Sequence, residues 1–96
     1  MSLRIKWTRR ALARLDHIGA YIARHDQGAA GRVIARIQSI VETLPDYPLM
    51  GKVGRVAGTR EMVLSDIPYI VAYRAKENEI EILTILHTSL RWPKSF

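Results

Sequence analysis

The chain has 96 residues, a length that suits one domain with a single hydrophobic core. It contains no cysteine, which excludes disulfide bonds, thiolate nucleophiles and cysteine-ligated metal sites. The 15 basic and 9 acidic residues give a formal net charge of +6. This excess favours an anionic partner, either nucleic acid or an acidic protein segment. The alternative is that the charge only keeps the domain soluble.

The positive charge is concentrated in the amino-terminal third. Residues 1–36 carry eight basic and two acidic residues, whereas residues 37–96 carry seven of each. No apolar run approaches the roughly 20 residues that span a bilayer. The first residues also lack the continuous apolar core and the cleavage site of a signal peptide. These features predict a cytoplasmic protein with no membrane partner.

The amino-terminal half predicts one strand and two helices. Apolar and charged residues alternate over residues 3–7, which is typical of a strand with one buried face. Thr8 stands at the N-cap position of a helix that extends from Arg9 to His25. A second apolar stripe predicts a helix over residues 28–44, which ends at Pro45 because proline cannot donate to it. The short connection predicts an antiparallel hairpin.

The first predicted helix has two distinct faces. One face is apolar and is expected to pack on the sheet, while the opposite face is basic and aromatic. The polar face is either a binding surface or simply the solvated side of an amphipathic helix. The apolar residues are Ala11, Leu12, Leu15, Ile18 and Ile22, and the polar residues are Arg10, Arg14, His17, Tyr21 and Arg24.

A basic loop follows the second helix from Pro45 to Gly58. It contains three glycines together with Lys52 and Arg55, and no acidic residue lies between Tyr47 and Arg60. Glycine lets the backbone come close to a phosphate group, and positive charge attracts that group. The Gly-Lys-Ser/Thr of a phosphate-binding loop is absent, so the loop does not match that motif.

The rest of the chain predicts three strands, over residues 59–65, 69–75 and 80–87. Alternation places Arg60 and Glu61 on opposite faces of the first of them. The last strand is apolar on both faces, which predicts an interior position in a sheet that is covered on both sides. Aromatic residues of the tail or a bound partner are expected to cover the second side. We assign Ile80, Ile82 and Leu86 to one face, and Leu83 and Ile85 to the other.

These elements predict an α+β fold in a single domain that covers residues 1–96. The order is β-α-α-β-β-β, with an antiparallel helical hairpin packed on a mainly antiparallel sheet.

Short motifs along nearly the whole chain resemble the RelE/ParE superfamily of toxins, and in particular its ParE-like branch. The resemblance rests on the order and spacing of the motifs, since each is weak alone. It includes Thr8 with Ala11 and Leu15, Gly51, Gly54-Arg55, Gly58-Thr59-Arg60-Glu61, the PYIVAYR run from Pro68 to Arg74, and EILTILH ending at His87 before Arg91-Trp92-Pro93.

The resemblance implies the toxin of a type II toxin-antitoxin system, neutralised by a ParD-like antitoxin with an acidic carboxyl-terminal segment. The ParE branch inhibits DNA gyrase and stabilises covalent gyrase–DNA complexes, which implies a protein that is not an enzyme and needs no cofactor. A second branch cuts messenger RNA on the ribosome, so a ribosome-dependent endonuclease is the alternative. A non-toxic remnant that only binds antitoxin is a third interpretation.

RNA cleavage needs a base, cations that stabilise the reacting phosphate, and an acid for the leaving oxygen. By resemblance Arg60 and His87 are the candidates for that chemistry. The tyrosine, or the further lysine and glutamate groups, usual in the RNA-cutting branch are missing, since Thr88 and Ser89 follow His87. Arg60 could instead form an ion pair across the sheet, and His87 could be a hydrogen-bonded residue at a strand end.

The predicted binding residues form two groups. Trp92 is a candidate for binding the target, although it could instead pack against the core. The three histidines lack the spacing of a metal site. The candidates for binding the target or nucleic acid are Lys52, Arg55, Arg60, Arg74, His87, Arg91 and Trp92, and those for binding antitoxin are Arg10, Arg14, His17, Tyr21 and Arg24.

Overall fold

A computed structural model describes residues 3–89 of the protein and confirms the predicted α+β fold. Two helices pack on one face of a five-stranded sheet. Arg91, Trp92 and the rest of the tail that was expected to cover the second face lie outside the described residues. The elements are β1 (Arg4–Trp7), α1 (Arg9–Ala23), α2 (Gln27–Thr43), β2 (Lys52–Val53), β3 (Arg60–Val63), β4 (Tyr69–Ala75) and β5 (Glu79–His87).

The strand order in the sheet is β1-β5-β4-β3-β2. All neighbouring strands are antiparallel except β1 and β5, which are parallel. A parallel pair needs a long connection, and here the helical hairpin and three strands lie between β1 and β5 in sequence. The predicted interior position of β5 is confirmed, because β1 and β4 flank it.

The short strand β2 was not predicted. It lies inside the basic loop, where Lys52 pairs with Glu61 and Val53 pairs with Arg60. A two-residue strand is too short to show alternation in the sequence. It extends the sheet by one edge strand and holds part of the loop beside β3.

A β-bulge alters the alternation in β5. The register changes from Ala72 opposite Thr84 to Tyr73 opposite Ile82, so Leu83 is an extra residue in β5. One extra residue reverses the face of every residue on one side of the bulge. The predicted faces of β5 were therefore wrong. Ile80, Ile82 and Ile85 lie together in the core under the helices, whereas Leu86 is opposite Ile70 on the second face.

Thr8 fixes the start of α1 against the sheet, as its predicted N-cap position suggested. Its Oγ1 accepts a hydrogen bond from the Ala11 amide at 3.1 Å. The same hydroxyl donates to the carbonyl oxygen of Ile82 at 2.7 Å. Asp26 caps α2 in the equivalent way, accepting from the Ala29 amide at 3.0 Å. Each side chain satisfies an amide that the helix itself leaves unpaired.

The main core lies between the hairpin and the helix-facing side of the sheet. Leu12 was predicted to belong to it, and this was wrong, because the side chain is 47% exposed. It lies at the margin of the stripe, about 100° around the helix from Ala11. The buried residues that α1 and α2 contribute are Ala11, Leu15, Ile18, Ala30, Ile37 and Val41.

The second face of the sheet is buried as well. Ile70 and Leu86 are 4% and 6% exposed, and Ala72 and Thr84 are fully buried. Both faces of the sheet are therefore covered around β4 and β5, as the apolar pattern of β5 predicted.

Candidate functional site

The polar face of α1 and the carboxyl end of β5 enclose an open cavity of about 450 Å³. This arrangement follows from the packing of α1 on β5. It brings three of the five predicted antitoxin-binding residues together with His87, which the sequence had placed in the other group. The polar residues that line the cavity are Arg14, His17, Tyr21, Tyr69, His87 and Ser89.

His87 is held at the end of β5 by two neighbours. Its Nδ1 accepts a hydrogen bond from the Ser89 amide at 3.1 Å, and the Ser89 hydroxyl lies 2.7 Å from the same atom. The imidazole stands edge-on to the ring of Tyr69, with centroids 5.3 Å apart. Because Nδ1 is an acceptor, the neutral imidazole carries its proton on Nε2. His87 is thus a hydrogen-bonded strand-end residue, one of the two interpretations of the sequence.

Arg14 and Tyr69 are two of the residues that line the cavity. Burial raises the pKa of the Tyr69 phenol, while the positive charge of Arg14 acts in the opposite direction. The Nε of Arg14 points to the carbonyl oxygen of Ile85 at 3.4 Å. Tyr69 therefore stays neutral at physiological pH and can donate a hydrogen bond, beside a guanidinium that attracts anions.

The other two residues of the predicted antitoxin-binding face lie outside the cavity. Arg10 is exposed in the first turn of α1, and Arg24 is the C-cap of that helix. The basic face therefore extends along α1 on both sides of the cavity.

Arg60 lies on the helix-facing side of the sheet, at the beginning of β3. Its Nη1 donates to the carbonyl oxygen of Gly51 at 2.8 Å and approaches that of Leu49 at 3.4 Å. No carboxylate among residues 3–89 forms an ion pair with it. Its contacts are instead main-chain carbonyls, which fix the loop before β2.

Glu61 is buried on the second face, and the sequence had not identified it as a site residue. It is 1% exposed, and its Oε2 accepts a hydrogen bond from the Arg55 amide at 2.7 Å. Its Oε1 lies 3.6 Å from the Nε of Arg55 and 3.9 Å from the Nζ of Lys52. Lys52 and Arg55, both predicted to bind the target, thus lie beside a buried carboxylate. A buried negative charge needs nearby positive charge and hydrogen-bond donors to offset the cost of its desolvation.

Arg74 also lies near acidic side chains. Its Nη1 is 3.7 Å from the Glu81 carboxylate, which Lys76 approaches to 3.4 Å. The Arg74 contact joins β4 to β5, and Lys76 lies in the turn that follows β4. Both contacts are at partly exposed positions, where an ion pair adds little stability.

The structure does not bring Arg60 and His87 together. Arg60 is opposite Tyr73 in β4, whereas His87 is opposite Tyr69. The four-residue separation along β4 corresponds to about 13 Å at the rise of a β-strand. Both side chains lie on the helix-facing side but at opposite ends of the strand.

Residues 3–89 contain neither a candidate metal site nor a membrane-spanning helix. No group of three or more His, Asp or Glu side chains there is arranged to hold a metal ion. Neither helix of this part of the chain is long and apolar enough to cross a bilayer.

Comparison with known proteins agrees with this architecture. The profile of the family described as ParE toxin of type II toxin-antitoxin system, parDE, matches residues 5–92. A chain of the chromosomal ParDE TA system from P. aeruginosa superimposes with a TM-score of 0.82 at 30% identity, covering 92% of this chain and 98% of the other. The chain belongs to the ParE toxin family of type II toxin-antitoxin systems.

Two relatives in sequence are themselves named as toxins. The first, "Putative toxin Y4kP" of Sinorhizobium fredii, is 54% identical over 91 residues, covering 95% of this chain and 94% of the relative. The second, Toxin RelE2 of Caulobacter vibrioides, is 33% identical over 85 residues, covering 88% and 94%. The protein is thus the toxin of a ParDE-type system, and its family implies a cognate antitoxin.

Proposed function

We propose that this toxin inhibits DNA gyrase by binding, without an enzymatic step, and that a ParD-like antitoxin with an acidic carboxyl-terminal segment neutralises it in the cytoplasm. Membership of the ParE family supports the proposal. The observation that carries it is the separation of Arg60 and His87 at the two ends of β4.

A ribonuclease site needs its base, its acid and its phosphate-binding cation around one phosphate, each within hydrogen-bond reach of a reacting oxygen. The backbones of Arg60 and His87 are about 13 Å apart along β4 and belong to different strands, which disfavours their joint action on one phosphate. Arg60 is also engaged with the carbonyl of Gly51, and His87 Nδ1 with the amide of Ser89. These positions favour binding roles for both residues.

The antitoxin-binding role of α1 is supported by the chemistry of the cavity. Arg14 and His17 offer positive or hydrogen-bonding groups, and Tyr21 and Tyr69 offer aromatic surface. An acidic segment with interspersed apolar residues would match both features, its carboxylates on the basic face of α1 and its apolar groups against the rings.

A ribosome-dependent messenger RNA endonuclease is the second candidate. The observation that favours it is the 33% identity to a protein named Toxin RelE2. In that case partners would be the ribosome and messenger RNA, and Arg60 and His87 would have to act on different parts of the substrate.

Expression of the toxin without antitoxin in a bacterial host distinguishes the candidates. We expect growth arrest with filamentation and induction of the DNA-damage response, because poisoned gyrase leaves broken DNA. Arrest with cut transcripts would instead establish RNA cleavage, and normal growth would establish a non-toxic remnant. Coexpression of the antitoxin is the control, and it should restore growth.

A further inference from the structure

Four side chains on the second face of the sheet are buried, although no helix of residues 3–89 lies on that face. They are Ile70 and Ala72 of β4 and, opposite them, Leu86 and Thr84 of β5. None of the four is more than 6% exposed. We call these residues the second-face strip. An open sheet face would leave large side chains such as Ile70 and Leu86 in contact with water, so further atoms must cover them.

The cover of the second-face strip is narrow. Val63 of β3 lies on the same face, opposite Ile70, and is 43% exposed. At the other end of the strip, the next pair on this face is Arg74 and Glu81, and both are partly exposed. The cover is therefore confined to a short length of β4 and β5, about the area that one short segment of chain spans.

The atoms that cover the strip belong to this chain, because the strip is buried with no partner present. The described loops next to it serve other positions. The loop before β3 reaches Glu61, to which the Arg55 amide donates a hydrogen bond. The turn after β3 directs Leu64 and Ile67 into the core under the helices. The cover must then come from one of the two chain ends outside residues 3–89.

The amino terminus is too far from the strip to cover it. It precedes β1, where Arg4 is opposite Glu79 at the beginning of β5. Leu86, near the other end of β5, is about 20 Å further along at the rise of a β-strand. The two residues before Leu3 extend over at most about 7 Å. This leaves the carboxyl-terminal segment.

The carboxyl-terminal segment, residues 90–96, starts beside the strip. The Thr88 amide donates to the carbonyl oxygen of Pro68 at 2.9 Å, which holds the end of β5 next to the beginning of β4. Leu86 and Ile70 each lie two residues from this contact. The segment can extend over about 23 Å, several times the roughly 7 Å between the two pairs of the strip.

The sequence of the segment, LRWPKSF, suits an apolar surface. Pro93 disfavours a helical conformation in the residue before it, so the first part of the segment is expected to be extended. In an extended chain Leu90 and Trp92 lie on one side, and Arg91 lies on the other. One side therefore offers two large apolar groups to the sheet.

We propose that residues 90–96 lie along the second face of the sheet, with Leu90 and Trp92 packed on the second-face strip and Arg91 directed to solvent. Trp92 is then a packing residue, which is the second of the two interpretations of the sequence. Arg91 stays available to a partner. The inference does not depend on whether the target is gyrase or the ribosome.

The fluorescence of Trp92 tests this proposal in the full-length toxin. The chain has two tryptophans, so Trp7→Phe leaves Trp92 as the only one. We expect a blue-shifted emission with little quenching by acrylamide, as for an indole that is removed from water. Leu86→Ala in this background should shift the emission to longer wavelength and increase the quenching. Val63→Ala is the matched control, because Val63 lies on the same face outside the strip, and should leave both unchanged.

Thermal unfolding gives a second readout that does not need the Trp7→Phe background. Trp92→Ala should lower the melting temperature by at least about 8 °C, because a large buried side chain is removed. Arg91→Ala should change it by less than about 4 °C. Circular dichroism shows whether each variant folds. Emission typical of a solvated indole, no response of Trp92 to Leu86→Ala, or an unchanged melting temperature in Trp92→Ala would each overturn the proposal.

Discussion

Glu61 is a single acidic residue in a buried position, compensated by groups from the loop. Its Oε2 accepts from the Arg55 amide, and the Arg55 and Lys52 side chains lie 3.6 and 3.9 Å from its Oε1. Those two side chains are more than half exposed, so part of their charge remains directed to solvent. The pair of cations therefore stabilises the loop and still contributes to the basic surface.

Removing the Glu61 side chain should destabilise the fold more than neutralising it. We expect Glu61→Ala to lower the free energy of unfolding by about 2 kcal/mol, because the Arg55 amide loses its acceptor in a buried position. Glu61→Gln should cost about 1 kcal/mol, since the amide oxygen still accepts that bond while the charge is lost. Urea unfolding at neutral pH measures both. Equal losses in the two variants would contradict the assigned role of Oε2.

Tyr73 couples the loop before β2 to the centre of the sheet. Tyr73→Phe removes both hydrogen bonds of the hydroxyl and should lower the free energy of unfolding by about 1–2 kcal/mol at neutral pH. Tyr47→Phe is the matched control, because Tyr47 is 64% exposed. The control should change stability by less than about 0.5 kcal/mol.

The contribution of Tyr73 should also depend on pH. Burial raises the pKa of this phenol above the usual 10.0, with the Gly51 amide and the Arg60 charge acting in the opposite direction. A raised pKa means that the folded state holds the proton more tightly, so the stabilisation is complete below pH 10 and is lost above it. The difference in stability between the unsubstituted protein and Tyr73→Phe should therefore shrink above pH 10. A difference that stays constant from pH 8 upward would contradict this assignment.

Helix α1 combines a buried apolar face with an exposed basic face. Its buried residues and its Thr8 cap hold it on β5, and its basic face is left beside the cavity. The cavity residues come from α1 and from the ends of β4 and β5, so their grouping depends on how the helix docks.

Reversing charge on α1 should weaken antitoxin binding in a salt-dependent way. We expect Arg10→Glu with Arg14→Glu to reduce affinity by about 10- to 100-fold at low salt, and by less at high salt, where charges are screened. Titration calorimetry with the antitoxin at two salt concentrations measures this. Arg32→Glu on α2 is the control, a single charge reversal away from this face, and should have little effect. Unchanged affinity in the double variant would contradict the proposed role of α1.

The sequence predicted the long elements well, because α1 and α2 show clear helical patterns and β4 and β5 are runs rich in apolar, β-branched and aromatic residues. It missed β2, which is too short for a pattern, and it missed the bulge in β5. Counting pairs back from the turn without a bulge would set Tyr69 opposite Leu86, whereas the structure sets it opposite His87. The bulge therefore places His87 on the side that faces α1. No local sequence pattern predicts this bulge.

The candidate sites were harder to predict than the elements for a related reason. Alternation along a strand predicts which face of the sheet a residue lies on, but not whether that face is covered. The burial of Glu61 depends on the second face being covered, so the sequence did not predict it. The cavity joins Arg14 of α1 with His87 of β5, which are far apart in sequence. The sequence did indicate that the loop before β3 is basic, since charge and glycine content are local properties of the chain.

At the scale of the whole molecule, the order of the strands separates two surfaces. Helix α1, which carries the basic face, packs on β5, and the exposed side chain of Val53 lies at the β2 edge. The first surface suits the acidic antitoxin segment that we propose as its partner.

A supercoiling assay with purified toxin, DNA gyrase and relaxed plasmid tests the central claim most directly. The account predicts that the toxin blocks supercoiling and traps cleaved gyrase–DNA complexes, and that equimolar antitoxin restores activity. Messenger RNA on purified ribosomes should remain intact at the same toxin concentration. Normal supercoiling by gyrase, together with cut messenger RNA, would contradict the account.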